Sequence, residues 1–167
     1  MRPFIFILIL SFLSASSVRM LTYNLLNFSD DDNREMHYIT ILESISPDLI
    51  IVQEIIGQDG FENFQSDVLD VFQGGQWSGA PFINQSAQQD IAIFYKQDIF
   101  TYINTSAINT AQSSGTRDVI EWTMVHNPSD LEFNIYGVHF KASSGASNAS
   151  QRLEEAIILR NHLNSLP

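Results

Sequence analysis

Two short apolar runs separated by a helix-patterned segment set the tightest limit on how this chain folds. Residues 19–25 (Arg-Met-Leu-Thr-Tyr-Asn-Leu) read as a strand covered on both faces, and residues 49–54 (Leu-Ile-Ile-Val-Gln-Glu) as a second, β-branched strand. Between them Tyr38, Ile41, Leu42 and Ile45 recur at helical spacing, Asp32 and Glu35 form a capping-box pattern, and Pro47 marks the stop. Strand, helix and strand within about forty residues make a βαβ unit, with parallel strands and a right-handed crossover.

The rest of the chain is consistent with one α/β unit. Residues 61–72 read as another helix, closed by Gly74 and Gly75. Strands are expected over residues 90–95, 100–104, 119–126 and 131–139, with a hairpin turn at residues 127–130 (Asn-Pro-Ser-Asp) joining the last two. Asn148, followed by Gln151, is placed to cap a final helix reaching about Ser165.

The first seventeen residues have a different character. Met1 and Arg2 precede an apolar run from Pro3 to Leu13, and small residues follow through Ser17. That is the three-part layout of a secretory signal, and the run is too short to span a bilayer. The expected division is a signal peptide over residues 1–17 and a domain over residues 18–167, in a secreted or periplasmic protein with no transmembrane segment after cleavage. The absence of cysteine excludes a disulfide framework and a thiolate metal site. Eight basic residues against 19 acidic ones give a net charge of −11. This argues against nucleic-acid binding by non-specific Coulomb attraction alone. A polyanionic substrate stays open, because divalent cations can supply the missing positive charge.

Chemistry concentrates where the βαβ reading brings strand ends together. Asn24 and Glu54 each stand at the carboxyl end of a parallel strand and so reach the same rim of the sheet, where open α/β sheets bind ligands. A carboxylate ending an apolar run is costly unless it is paired or holds a cation. His139 ends the strand expected at 131–139. By contrast, His37, His126 and His162 have no evident partner in the sequence.

Four segments, in order, resemble the motifs of the endonuclease/exonuclease/phosphatase superfamily: residues 18–27 around Asn24, residues 47–54 ending in Glu54, residues 90–96 beginning at Asp90, and residues 136–142 around His139, with Arg152 opening the next helix. The resemblance implies the first half of a four-layer α/β/β/α sandwich of the deoxyribonuclease-like type. It implies a Mg²⁺-dependent phosphodiesterase (Mn²⁺ and Ca²⁺ being alternatives), with Glu54 as metal ligand and Asn24 hydrogen-bonding near the metal or the scissile phosphate. His139 would serve as general acid or hydrogen-bond donor, as in secreted deoxyribonucleases and sphingomyelinases. Asp90 corresponds to a carboxylate that orients this histidine, Arg117 to an arginine facing the substrate phosphate, and Lys141 is a second candidate for phosphate contact. The superfamily's later Asp-x-Asn and Asp-His segments are not found after residue 139. The expectation is therefore a truncated domain with negligible turnover alone, an exposed apolar sheet face and an unpaired edge, or a partner chain completing the fold. An extracellular endonuclease is the leading reading. The alternatives are a sphingomyelinase-like or other phosphoesterase, a non-catalytic phosphate- or metal-binding remnant, and an unrelated α/β adhesion or sensor domain.

Overall fold

The computed structural model describes residues 17–29, 33–85, 89–111 and 115–166. Most of the expected signal peptide and Asp32 of the expected capping box lie outside these residues. The βαβ unit forms as expected. Strand β1 (Met20–Phe28) pairs in parallel with β2 (Leu49–Ile55), and helix α1 (Glu35–Ile45) crosses between them. Helix α1 ends where Ser46 turns into the left-handed region at φ 51° and Pro47 blocks continuation.

A second helical stretch follows, with α2 (Gly57–Asn63), a π-helical turn (Phe64–Leu69) and α3 (Asp70–Gln73) running on without a break. The wider π turn buries Phe64, Val68 and Leu69 on one side. Two antiparallel strands, β4 (Asp90–Lys96) and the three-residue β3 (Trp77–Gly79), complete a first sheet of order β1-β2-β4-β3. The second sheet is an antiparallel meander of β5 (Phe100–Ile108), β6 (Val119–His126) and β7 (Leu131–Gly137). Helix α4 (Ala146–Ser165) closes the order.

Alternation along the strands sorts the side chains into two cores. From the first sheet, Ile50, Val52, Ala92 and Phe94 face α1 and the π turn, meeting Tyr38, Leu42, Phe64 and Val68. Their neighbours Leu49, Ile91, Ile93 and Tyr95 point the other way, onto Phe100, Ile120, Trp122, Met124 and Ile135 of the second sheet. Glu121 and Tyr136, on the outer face of that second sheet, meet His162 of α4: His162 Nε2 lies 2.8 Å from Glu121 Oε2, and its ring meets Tyr136 edge-on at 6.2 Å. The layers are thus helix, sheet, sheet, helix, the expected four-layer α/β order.

Several expectations change. Strand β1 is an edge strand with Met20, Thr22 and Asn24 exposed, so it is not covered on both faces. The apolar sheet face expected to be bare is covered, because the inner faces of the two sheets pack on each other. The expected open edge is present at β7, which pairs only with β6 among the described residues. Strand β7 stops at Gly137, leaving His139 in the following loop. Gly145 precedes α4, and Asn148 donates back to the Ser144 carbonyl at 2.8 Å instead of capping the helix. His126 has a partner too, its Nδ1 lying 2.7 Å from Ser129 Oγ in the hairpin turn. Among the described residues, no helix is long and apolar enough to cross a membrane.

Candidate active site

The ends of β1 and β2 are irregular at the rim where the site lies. Pairing runs in register from Met20 opposite Leu49 to Asn24 opposite Gln53, then resumes at Phe28 opposite Ile55. Glu54 alone therefore faces the three residues Leu25, Leu26 and Asn27, a bulge that bends the strand end. Glu54 has φ 63°, while Leu26 and Asn27 have φ 52° and 58°. Left-handed backbone at three non-glycine residues in one patch is strain held by the surroundings, and such strain clusters at functional sites.

Hydrogen bonds hold the bulge in place. The Asn24 side-chain oxygen accepts from the Leu26 N–H at 2.8 Å, an Asx turn, and its Nδ2 donates to Glu54 Oε1 at 2.8 Å. The amide is thereby oriented by the backbone and in turn orients the carboxylate. Tyr38 Oη, from α1, donates to the Leu25 carbonyl at 2.9 Å. Across the rim, His139 Nε2 lies 3.6 Å from Glu54 Oε1, too far for a hydrogen bond, and the two are a charge pair only when the imidazole is protonated. Asn24 and Glu54 thus meet at the ends of their parallel strands, and the loop after β7 brings His139 beside them.

A layer of polar groups lies behind them. Arg117, only 5% exposed, donates to Gln89 Oε1, and Gln89 Nε2 donates to Asn27 Oδ1. Burial pushes the Arg117 guanidinium below its ordinary range, and the carboxylates of Glu54, Asp90 and Glu155 oppose that shift. Arg117 is thus an internal counter-charge and not an open phosphate-facing side chain. Asp90 is fully buried; its Oδ1 accepts from the Gln85 N–H at 2.9 Å, and Oδ2 has no hydrogen bond. Burial raises the Asp90 carboxyl pKa, against the lowering effects of the Gln85 N–H, Arg117 and the Gly57 N–H. Among the described residues no hydrogen bond joins Asp90 to His139, so the structure seats Asp90 with Gln85 and Arg117 instead. The His139 pKa is lowered, first by burial and then by Arg117, while Glu54 and the Gln89 carbonyl pull it back up. Lys141 is half-buried, with its backbone N–H donating to Glu155 Oε2 at 2.9 Å.

Gln89, Asn27 and Glu155 were not singled out as site residues from the sequence. Isolated Gln and Glu in polar stretches look like surface. The spacing of Arg152 and Glu155, one helical turn apart at the start of a helix, was the available signal for the last of them.

The donor set fits part of a divalent-cation site. Glu54 Oε2 has no protein partner among the described residues, and a hard cation such as Mg²⁺ binds through one or two carboxylates while keeping several waters. Among the described residues, no three His, Asp or Glu side chains converge into a closed cage.

No family model and no curated protein matches this sequence. Solved structures do share the fold. D. rerio TDP2, in complex with a single-strand DNA product, superposes with a TM-score of 0.68 at 12% identity, over 90% of this chain and 56% of that one. An endonuclease/exonuclease/phosphatase family protein from Bacteroides thetaiotaomicron gives 0.68 at 13% identity, over 89% and 59%. The human Nocturnin catalytic domain, with a bound sulfate anion, gives 0.58 at 21% identity, over 87% and 58%. The chain therefore has the fold of endonuclease/exonuclease/phosphatase proteins, and it spans between 56% and 59% of the length of these three.

Proposed function

We propose that this chain contributes the Glu54–His139 side of a metal-dependent phosphodiesterase site acting on nucleic acid. The observation that carries the reading is the Glu54 carboxylate, held at a strained bulge by Asn24 at 2.8 Å and faced by His139 at 3.6 Å. Glu54 would hold Mg²⁺ (Mn²⁺ and Ca²⁺ being the other candidates), and the bound ion would offset the charge of the phosphoryl oxygens. Asn24 keeps one Glu54 oxygen engaged, which leaves the other for a cation. Burial and Arg117 lower the His139 pKa, which favours the neutral imidazole. In that form one ring nitrogen still carries a proton, which favours hydrogen-bond donation to a phosphate oxygen over proton transfer. A net charge of −11 makes the cation necessary for approach by a polyanion.

Nucleic acid as substrate is supported by the single-strand DNA product bound to the structurally similar D. rerio TDP2. Export is supported by the basic, apolar and small-residue layout of residues 1–17.

Titration of the ¹⁵N-labelled chain with Mn²⁺ and Mg²⁺ tests the reading. Paramagnetic broadening should centre on Asn24, Glu54 and His139, and Glu54→Ala should abolish it. Broadening that persists unchanged in Glu54→Ala removes the proposal. Supercoiled DNA and a choline phosphodiester, offered with Mg²⁺ to this chain and to any longer polypeptide containing it, separate the two substrate classes. Nicking that falls roughly a hundred-fold or more in His139→Ala is the expected result.

A further inference from the structure

The segment that carries His139 is not part of a strand, and helix α4 holds it. Glu155 is fully buried, the only buried residue of α4. Its Oε2 accepts the Lys141 N–H at 2.9 Å, and its Oε1 is buried without a hydrogen bond. One turn earlier, Arg152 Nη1 donates to the carbonyls of Lys141 at 2.9 Å and Ser143 at 2.8 Å. Both backbone polar groups of Lys141 are therefore held by a pair of opposite charges on α4, two residues after His139. A buried carboxylate is costly, and a neutral side chain would suffice to accept one peptide N–H. The charge has a counterpart in Arg117, the buried cation behind Glu54, which Glu155 helps to balance.

We infer that Glu155, assisted by Arg152, is a positioning residue: it clamps the Lys141 backbone so that the His139 ring stands opposite Glu54. The effect on turnover rests on the phosphodiesterase reading, whereas the effect on His139 geometry does not.

The test uses the ¹⁵N-labelled chain and its Glu155→Ala, Glu155→Gln and Arg152→Ala variants. In Glu155→Ala the Lys141 amide should exchange roughly ten- to a hundred-fold faster, the equivalent of losing a hydrogen bond to a charged group. The His139 ring resonances should move, while those of Trp122 in the inter-sheet core stay in place. Glu155→Gln, whose amide oxygen can still accept the Lys141 N–H, should restore both. Arg152→Ala frees the same segment from its carbonyl side and should move the same His139 resonances, even if Glu155→Ala does not fold. Where hydrolysis is measurable, kcat should drop roughly ten- to a hundred-fold in Glu155→Ala with KM little changed. Unmoved His139 resonances in Arg152→Ala and in every folded Glu155 variant overturn the inference. Moved resonances with no hydrolysis in any form remove the phosphodiesterase reading and leave the positioning role standing.

Discussion

At Glu54 a charged side chain occupies backbone that glycine would adopt more readily, with φ 63°. Glu54→Gly should be more stable than Glu54→Ala by about 1 kcal/mol, since only alanine keeps the left-handed penalty. Urea denaturation of the two variants checks this, and equal stability would mean the bulge relaxes once the carboxylate is gone. Asp90 supplies a pH-dependent counterpart. Its folded pKa is raised above the ordinary 3.8, so between 3.8 and that higher value the folded state holds a proton that the unfolded chain has released. Stability from this group is greatest below 3.8, declines as pH rises through the folded pKa, and its cost is complete above it. Asp90→Asn should therefore lose less stability than the parent between pH 4 and 7 in a series of urea melts. Asn24 and Glu54 were legible in the sequence because parallel strands deliver their ends to one rim. Asp90's place on a strand was legible but its partners were not, because a buried carboxylate is satisfied by groups distant in sequence.

Among the elements, α1 and β1 are joined where it matters for the site. Tyr38 Oη bonds the Leu25 carbonyl inside the bulge, so α1 braces the backbone that presents Asn24. Tyr38→Phe keeps the ring contacts with Phe28 and Phe64 and removes this bond, which should cost about 1 kcal/mol in urea denaturation. The βαβ unit, the hairpin at residues 127–130 and the antiparallel meander all follow from local signals: helical spacing, turn residues and alternating strands. Three features did not. The edge position of β1 depends on sheet order, which strand pattern alone does not specify. The π turn at Phe64–Leu69 preserves the apolar spacing of an ordinary helix closely enough to be hidden. The start of α4 at Ala146, ahead of Asn148, follows Gly145 and has no capping side chain, so the sequence carries no capping signal for it.

At the scale of the whole molecule, Gly137 sits where the two sheets meet in close contact. A Cβ there would lie 2.6 Å from the Trp122 ring and 2.7 Å from Ile91 Cγ2, joining β7, β6 and β4 at one point. Gly137→Ala should lower stability by about 1–3 kcal/mol, as overpacking does in well-filled cores, and differential scanning calorimetry would read it. The two-sheet packing itself was foreseeable only through resemblance, since each sheet's inner face is apolar for any partner of suitable shape. The fourth layer obeys a different rule. Helix α4 buries a single residue, and it is a glutamate. Attachment through ions, peptide groups and the half-buried Ile158, Leu159 and Leu163 exposes far less hydrocarbon when broken than opening either core, so detachment carries only a small share of the heat-capacity change. Warming should loosen α4 as a shallow, gradual step ahead of the main calorimetric peak, and the rim facing Glu54 would dissolve while both sheets remain folded.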